Sequence, residues 1–251
     1  KLADSDVFLS ACGRKEFEPP LPRMKGEEMI LRFFAFHFRN VESIKTYDGA
    51  LNEEMRKNQF LSPDESGRRE RVFRDALLLC VQVFGSNPFR MWVAGKNETD
   101  PTGHWEDRLN SVVFELLMTS FAAYEKPRVV ANADAIREEF IHRLSTDQFM
   151  VDSLSLGTNS RQKMQYRHNT WRSALRSLLD TTASEPRCFQ LTFKRELWQR
   201  EPACAICGQT IHSLEDAAVD HVAHYGRGGL TIPANARLTH RYCNSRRGGR
   251  E

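Results

Sequence analysis

The feature that most constrains this chain is a set of four sulfur and nitrogen side chains near its end. Cys204 and Cys207 form a C-x-x-C knuckle, and His240 and Cys243 form an H-x-x-C knuckle further on. Three thiols and an imidazole at these spacings complete a tetrahedral Zn²⁺ set, with no position left open for water. Such a site is structural, and a small domain built on one takes much of its folding energy from the ion.

Between and beside the knuckles stand residues that zinc does not need. The segment reads VDH at Val219-Asp220-His221, GRGGLT from Gly226 to Thr231, and NARLTHRYCNSRR from Asn235 to Arg247. An Asp-His pair, then Asn235, then Asn244, bracketed by the knuckles, resembles the HNH endonucleases, whose fold is ββα-metal. The spacing from Asn235 through Leu238-Thr239 to Asn244 also resembles the HNH domain of the large RNA-guided CRISPR nuclease. The resemblance implies a DNA-cleaving enzyme with structural zinc on Cys204, Cys207, His240 and Cys243. It implies His221 as the base, Asp220 and Asn244 as ligands of a catalytic Mg²⁺ or Mn²⁺, and Asn235 as a clamp on the loop.

The residue types suit that chemistry on their own terms. Phosphodiester hydrolysis needs an activated water, a Lewis acid on the phosphate and fixed geometry. An imidazole titrates near neutral pH and can take a proton from water. A hard cation prefers oxygen, which a carboxylate and an amide supply. Arg227, Arg241, Arg246 and Arg247 are candidate DNA contacts. His224 is open to two readings, a second loop residue in the chemistry or plain surface. Two rival functions stay open as well: a non-catalytic zinc-containing DNA-binding or regulatory module, and an RNase, since nothing here reads a 2′-OH.

Charge agrees with a polyanionic partner. The chain of 251 residues carries +3. From Arg187 to Glu251 there are ten Lys or Arg and six Asp or Glu, so this end alone holds +4. A basic excess in the nuclease-like segment is where a nucleic acid would bind. No apolar run approaches a membrane span, so no membrane partner is expected. A thiolate zinc set without a disulfide framework suits a reducing cytoplasm. Cys80 lies in an apolar helical run and reads as a buried thiol; Cys12 and Cys188 have no evident partner. The chain opens on Lys1 with no signal-peptide pattern, and an upstream part is expected to be absent from it.

The upstream sequence is helical in pattern, and the fold class expected is mainly α: a helical domain over 1–185, then a small zinc-stabilised ββα-metal domain over 186–251. Residues 1–23 read as irregular, ending in EPPLPR. Helices are predicted from Glu27 to Phe38, Leu51 to Lys57, Arg68 to Phe84, Leu109 to Tyr124, Asp134 to Leu144 and Ser160 to Leu179. Residues 89–107 are ambiguous, with a loop from Gly95 to Gly103, and 181–187 read as a linker. In the last segment a helix is expected from Phe193 to Arg200, strands from Ala217 to His221 and Ala236 to Thr239, and a helix from His240 to Arg246. Ser160 is expected to cap its helix. Arg161, Lys163, Arg167, Arg172 and Arg176 give that helix a basic face, either solvated or on a DNA backbone.

This helical stretch carries a second resemblance. RMKGEEMILRFFAF, the Tyr47-Asp48-Gly49 turn, Leu51-Asn52, Met55, and LSLGTNS with Arg167 are similar to the helical region of a family of restriction and phage-defence proteins. Those proteins usually begin with a ParB-like nucleotidase domain carrying a DGQQR-type motif. No such motif occurs here, so that domain is expected as a partner missing from this chain.

Overall fold

The structure, a computed structural model, describes residues 2–15, 18, 21–22, 24–180 and 189–248. The expected linker 181–187, Cys188 and part of EPPLPR lie outside these residues. The chain divides into two compact units. One comprises Lys1–Met91, Asp107–Ile136 and Phe149–Leu179; the other comprises Trp92–Glu106, Arg137–Gln148 and Asp180–Glu251. The chain is mainly helical with little sheet, and among the described residues no helix is long and apolar enough to cross a membrane.

The first unit is all helix: α1 (Asp6–Ala11), α2 (Lys25–His37), α3 (Tyr47–Lys57), α4 (Pro63–Phe84), α5 (Ser111–Phe121), α6 (Lys126–Ala131), α7 (Ala133–Thr146, whose first turn belongs here), α8 (Gln148–Ser155) and α9 (Arg161–Leu179). α5 is buried along its whole length, from Val112 to Phe121. A helix buried on every side sits at the centre, and α2, α4 and α9 pack against this one. Phe8, Phe33, Phe73, Phe89 and Phe114 form a continuous aromatic cluster with centroids 4.8–6.3 Å apart.

Several helix ends differ from expectation, for local reasons. α4 begins at Pro63 and not at Arg68, because Ser62 Oγ accepts from Glu65 N and Pro63 fits the first turn. α3 begins at Tyr47: Thr46 caps it, and Tyr47-Asp48-Gly49 is its first turn, not a separate one. α1 lies where irregular chain was expected; six residues are too few to show a helical period. α9 starts as predicted, with Ser160 Oγ accepting from Lys163 N at 3.3 Å. Its basic face loses one member. Arg167 is fully buried, donating to Ser153 O, Thr158 O and the Glu115 carboxylate. Burial alone would raise the Glu115 carboxyl, yet Arg167, His168 and Tyr47 hold it down at about 2.

The second unit holds β1 (Trp92–Val93), β2 (His104–Trp105), the rest of α7, α10 (Leu191–Arg200), β3 (Ala217–His221), β4 (Ala236–His240) and α11 (Arg241–Gly248). β1 and β2 form a hairpin through the loop left ambiguous in sequence. β3 and β4 pair antiparallel, with Ala217 opposite His240 and His221 opposite Ala236. α10 and α11 pack on this strand pair. A boundary at 185/186 therefore misses two upstream pieces of this unit, the hairpin and most of α7.

Candidate functional site

The small core of the second unit is built from Cys204, Ile211, Ala217, Leu238 and Cys243, with Leu197 and Trp198 of α10 packed against it. The first knuckle is a tight turn: Gly208 N donates to Cys204 O at 2.8 Å, and Gly208 takes a φ of +74° that favours glycine. Ala205 N donates to Leu238 O, tying the knuckle to β4. β4 ends at His240 and α11 starts at the next residue, so the second knuckle spans a strand end and the first turn of a helix.

The ligand atoms of Cys204, Cys207, His240 and Cys243 all lie within 4.8 Å of one another. His240 Nδ1 lies 3.5 Å from Cys207 Sγ. A tetrahedral zinc with Zn–S about 2.3 Å and Zn–N about 2.0 Å has N···S edges of about 3.5 Å. The electrostatics fit a cation too. Burial raises the Cys204 thiol, but hydrogen bonds from His240 and from backbone N–H groups bring it down to about 6. Cys243 is pushed up by burial and by the Cys204 charge. Three sulfurs this close do not all ionise unless a cation sits among them. The outer nitrogen of His240 is also provided for: Nε2 lies 3.3 Å from Thr210 O and 4.0 Å from Asp216 Oδ2. Such partners fix which ring nitrogen faces the metal. Asp216 is fully buried, with Oδ1 accepting from Gly103 N and Oδ2 lacking a hydrogen-bond partner. Nothing in the sequence singled out Asp216, because its other partner is a hairpin residue far upstream.

Asp220 and His221 stand at the end of β3, Asn235 precedes β4, and Asn244 lies on α11. Asp220 is 5% exposed, and Oδ2 accepts from Arg237 Nε at 2.7 Å and from Arg247 Nη1 at 2.6 Å. His221 is the last residue of β3 and half-buried. Its ring packs against Phe189 and Tyr225, with centroids 4.7 and 5.4 Å away, and Nε2 lies 3.0 Å from Thr231 Oγ1. Neighbours along a strand face opposite sides, and here one side holds the ion pairs and the other the aromatic rings. Asn235 closes the loop between the strands: Oδ1 accepts from Ala223 N at 2.7 Å, and Nδ2 donates to Ala223 O and Leu230 O. The same loop needs glycine at 229, where an added Cβ would lie 1.8 Å from Ala223 O. Asn244 is half-buried on α11, one turn before Arg247. Its amide makes no hydrogen bond among the described residues.

The four candidate DNA contacts separate. Arg227 and Arg246 are exposed, and Arg246 donates to Tyr242 Oη at 2.9 Å. Arg247 is turned to Asp220, His221 O and Val222 O. Arg241 does not fit its expected place. It is 5% exposed, donates to Glu138 and to Glu215 O, and lies over the Trp92 ring. It is a packing residue, displaced from the DNA role by partners that lie over a hundred positions upstream in sequence for Glu138. Arg237 and Thr231 were missed. The hairpin register would have placed Arg237 opposite Asp220, once both strands were assigned.

Two knuckles astride an antiparallel strand pair, closed by a helix carrying Cys243, make a small β-β-α unit whose Cys/His cluster could hold a metal. A family model described as HNH endonuclease matches residues 204–250. No curated protein and no solved structure matches the chain.

Proposed function

We propose that the second unit is a metal-dependent HNH endonuclease that hydrolyses DNA phosphodiesters. The observation that carries this reading is a coincidence in one segment. The HNH match over 204–250 covers the four-ligand cluster and also the β3 end, where Asp220 and His221 stand. In this reading His221 accepts the proton of the attacking water, with its ring held by Thr231 and the Phe189–Tyr225 packing. Asn235 holds the loop that positions those partners. Asp220 Oδ1 and the Asn244 amide oxygen are hard donors suited to Mg²⁺ or Mn²⁺. That ion, when bound, supplies Lewis-acid charge to the phosphate. Zinc on Cys204, Cys207, His240 and Cys243 supplies the fold. Arg227 and Arg246 meet the DNA backbone.

We further propose that the chain is the effector part of a restriction or phage-defence protein, working in the cytoplasm with a nucleotidase domain or partner subunit. This rests on the likeness of the helical stretch alone. The test is incubation with supercoiled plasmid, phage DNA carrying modified bases, and RNA, each with Mg²⁺, Mn²⁺ or EDTA. Cleavage of DNA that EDTA abolishes is the expected result. A second reading has its own observation. Asp220 Oδ2 already has two arginine partners, as in a purely structural ion pair, which suits a zinc-bearing DNA-binding module. Tight DNA binding with no cleavage under any ion would favour it.

A further inference from the structure

This inference rests on the nuclease reading and concerns how its cation site is charged. Arg237 and Arg247 converge on the same oxygen of Asp220, at 2.7 and 2.6 Å, and no hydrogen bond from the described residues reaches Oδ1. Neither guanidinium is loosely placed. Arg237 stands opposite Asp220 in the β3–β4 register. Arg247 is held by Asp220 Oδ2, by His221 O at 2.9 Å and by Val222 O at 2.8 Å. Arginine keeps its charge at any working pH. Two fixed positive charges on one carboxylate oxygen therefore oppose a dication at the other. The opposition acts at a carboxylate that is 5% exposed, where salt screens it little. A phosphodiester changes the balance. Its negative charge is attracted to both guanidiniums and to the cation, and arginine is well shaped for phosphate.

We propose that Arg237 and Arg247 guard Asp220, so that the catalytic cation is taken up together with the DNA phosphate and not before it. The guanidiniums offset the carboxylate while DNA is absent, and the phosphate offsets the guanidiniums when it arrives. Cation and DNA then bind with positive coupling, and each must tighten the other by the same factor. The metal-binding equilibrium, not only the rate, is thereby made to depend on substrate.

The experiment uses the full zinc-loaded chain, Mn²⁺ as the probe, and electron paramagnetic resonance of free Mn²⁺ as the readout. Wild type should bind Mn²⁺ weakly alone. It should bind about tenfold or more tightly with a phosphorothioate duplex, which keeps the phosphate charge. Arg237→Gln, which keeps a donor and loses the charge, should tighten Mn²⁺ binding without DNA by a similar factor and gain less from the duplex. Arg237→Lys should behave as wild type. Asp220→Asn should remove both gains, which locates the ion. The guard is overturned if Arg237→Gln binds Mn²⁺ no tighter than wild type, if the duplex does not tighten the wild type, or if the gains survive in Asp220→Asn. Should Arg237→Gln lose its zinc, the duplex effect on wild type decides alone. Plasmid cleavage run in parallel separates the two readings. Absence of cleavage at any Mg²⁺ concentration defeats the nuclease, whereas cleavage with no duplex effect on Mn²⁺ affinity defeats only the guard.

Discussion

Glu138 Oε1 accepts from Arg241 Nη2 at 2.8 Å, joining α7 to the first residue of α11. The same oxygen accepts from Lys194 Nζ at 2.7 Å. Lys194 and Arg241 are 3% and 5% exposed, so this carboxylate is what balances their buried positive charges. Burial would raise the Glu138 carboxyl, but Arg241 and Lys194 bring it to about 2 from its ordinary 4.5. Glu138→Ala leaves two buried cations uncompensated, a loss of about 3–5 kcal/mol for a broken buried pair. The second unit should melt earlier, and residues 186–251 made alone should fold poorly even with zinc. The pH dependence follows from the depressed carboxyl. Its contribution is present above 4.5 and is lost as pH falls toward about 2. Acid unfolding of wild type and Glu138→Gln, followed by tryptophan fluorescence, checks this; curves that coincide between pH 4.5 and 2 would refute it.

Zinc should be worth more than any one of these contacts. Cys204→Ser removes a ligand that also accepts from His240 N at 3.4 Å. The second unit should lose its metal and its cooperative melting, because a small metal module draws its folding energy from the ion. The helical unit, with its own aromatic core, should keep its helix content. A variant that retains one zinc per chain and an unchanged melting curve would defeat the ligand assignment.

The Cys204, Cys207, His240 and Cys243 cluster was legible as a group because its spacing is local and its chemistry is rare. The long helices were legible from period, as for α4 and α9, whose apolar faces recur through several turns. The strands β3 and β4 were placed to within a residue, since VDH and ARLTH are short runs bounded by loop sequence. What the sequence hid was non-local. No pattern near Arg241 announces that Glu138 will balance its charge, and no pattern near Trp92 announces a hairpin in the same unit as the Cys/His cluster. Short helices such as α1 and α6 show too few turns for a period, and α6 and α8 were not foreseen at all. Arg167 looked like one more charge on a basic helix because its partner, Glu115, sits in a run that is otherwise apolar.

Asn235 should matter to the loop more than to the fold. Its amide makes three hydrogen bonds to backbone, at 2.7, 3.0 and 2.8 Å. Asn235→Ala should leave zinc content unchanged, speed amide exchange at Ala223 and lower cleavage by about 10²-fold, the cost of a small misplacement of reacting groups. Unaltered exchange at Ala223 would show that the loop holds without the clamp.

The Asn244 side-chain amide has no hydrogen-bond partner among the described residues. Asn244→Ala therefore removes little that stabilises the fold, and its melting temperature should stay close to that of wild type. Zinc should be retained, because an amide oxygen is a hard donor and the thiolates select zinc. Cleavage and Mn²⁺ binding should both fall. Loss of zinc in this variant would place Asn244 in the wrong site.

His221 carries the last expectation, and its surroundings give the reason. It is the final residue of β3, and Arg247 takes its carbonyl oxygen. Asp220 faces the ion pairs, and the His221 ring faces Phe189, Tyr225 and Thr231 on the other side. Packing holds the ring, and the Thr231 hydroxyl lies 3.0 Å from Nε2. Thr231→Val keeps the shape and removes that hydroxyl, so it should lower the rate less than removal of the imidazole and leave DNA affinity alone. His221→Ala should lower cleavage by about 10²–10⁴-fold, the range for a general base. DNA binding, zinc content and melting should be unaffected. Any rise of the rate with pH that the base produces in wild type should be lost in His221→Ala. The two losses need not add, since base and ring support act as one unit. If His221→Ala keeps more than about a tenth of the wild-type rate, the proton goes elsewhere, and His224 on the same loop is the residue to replace next.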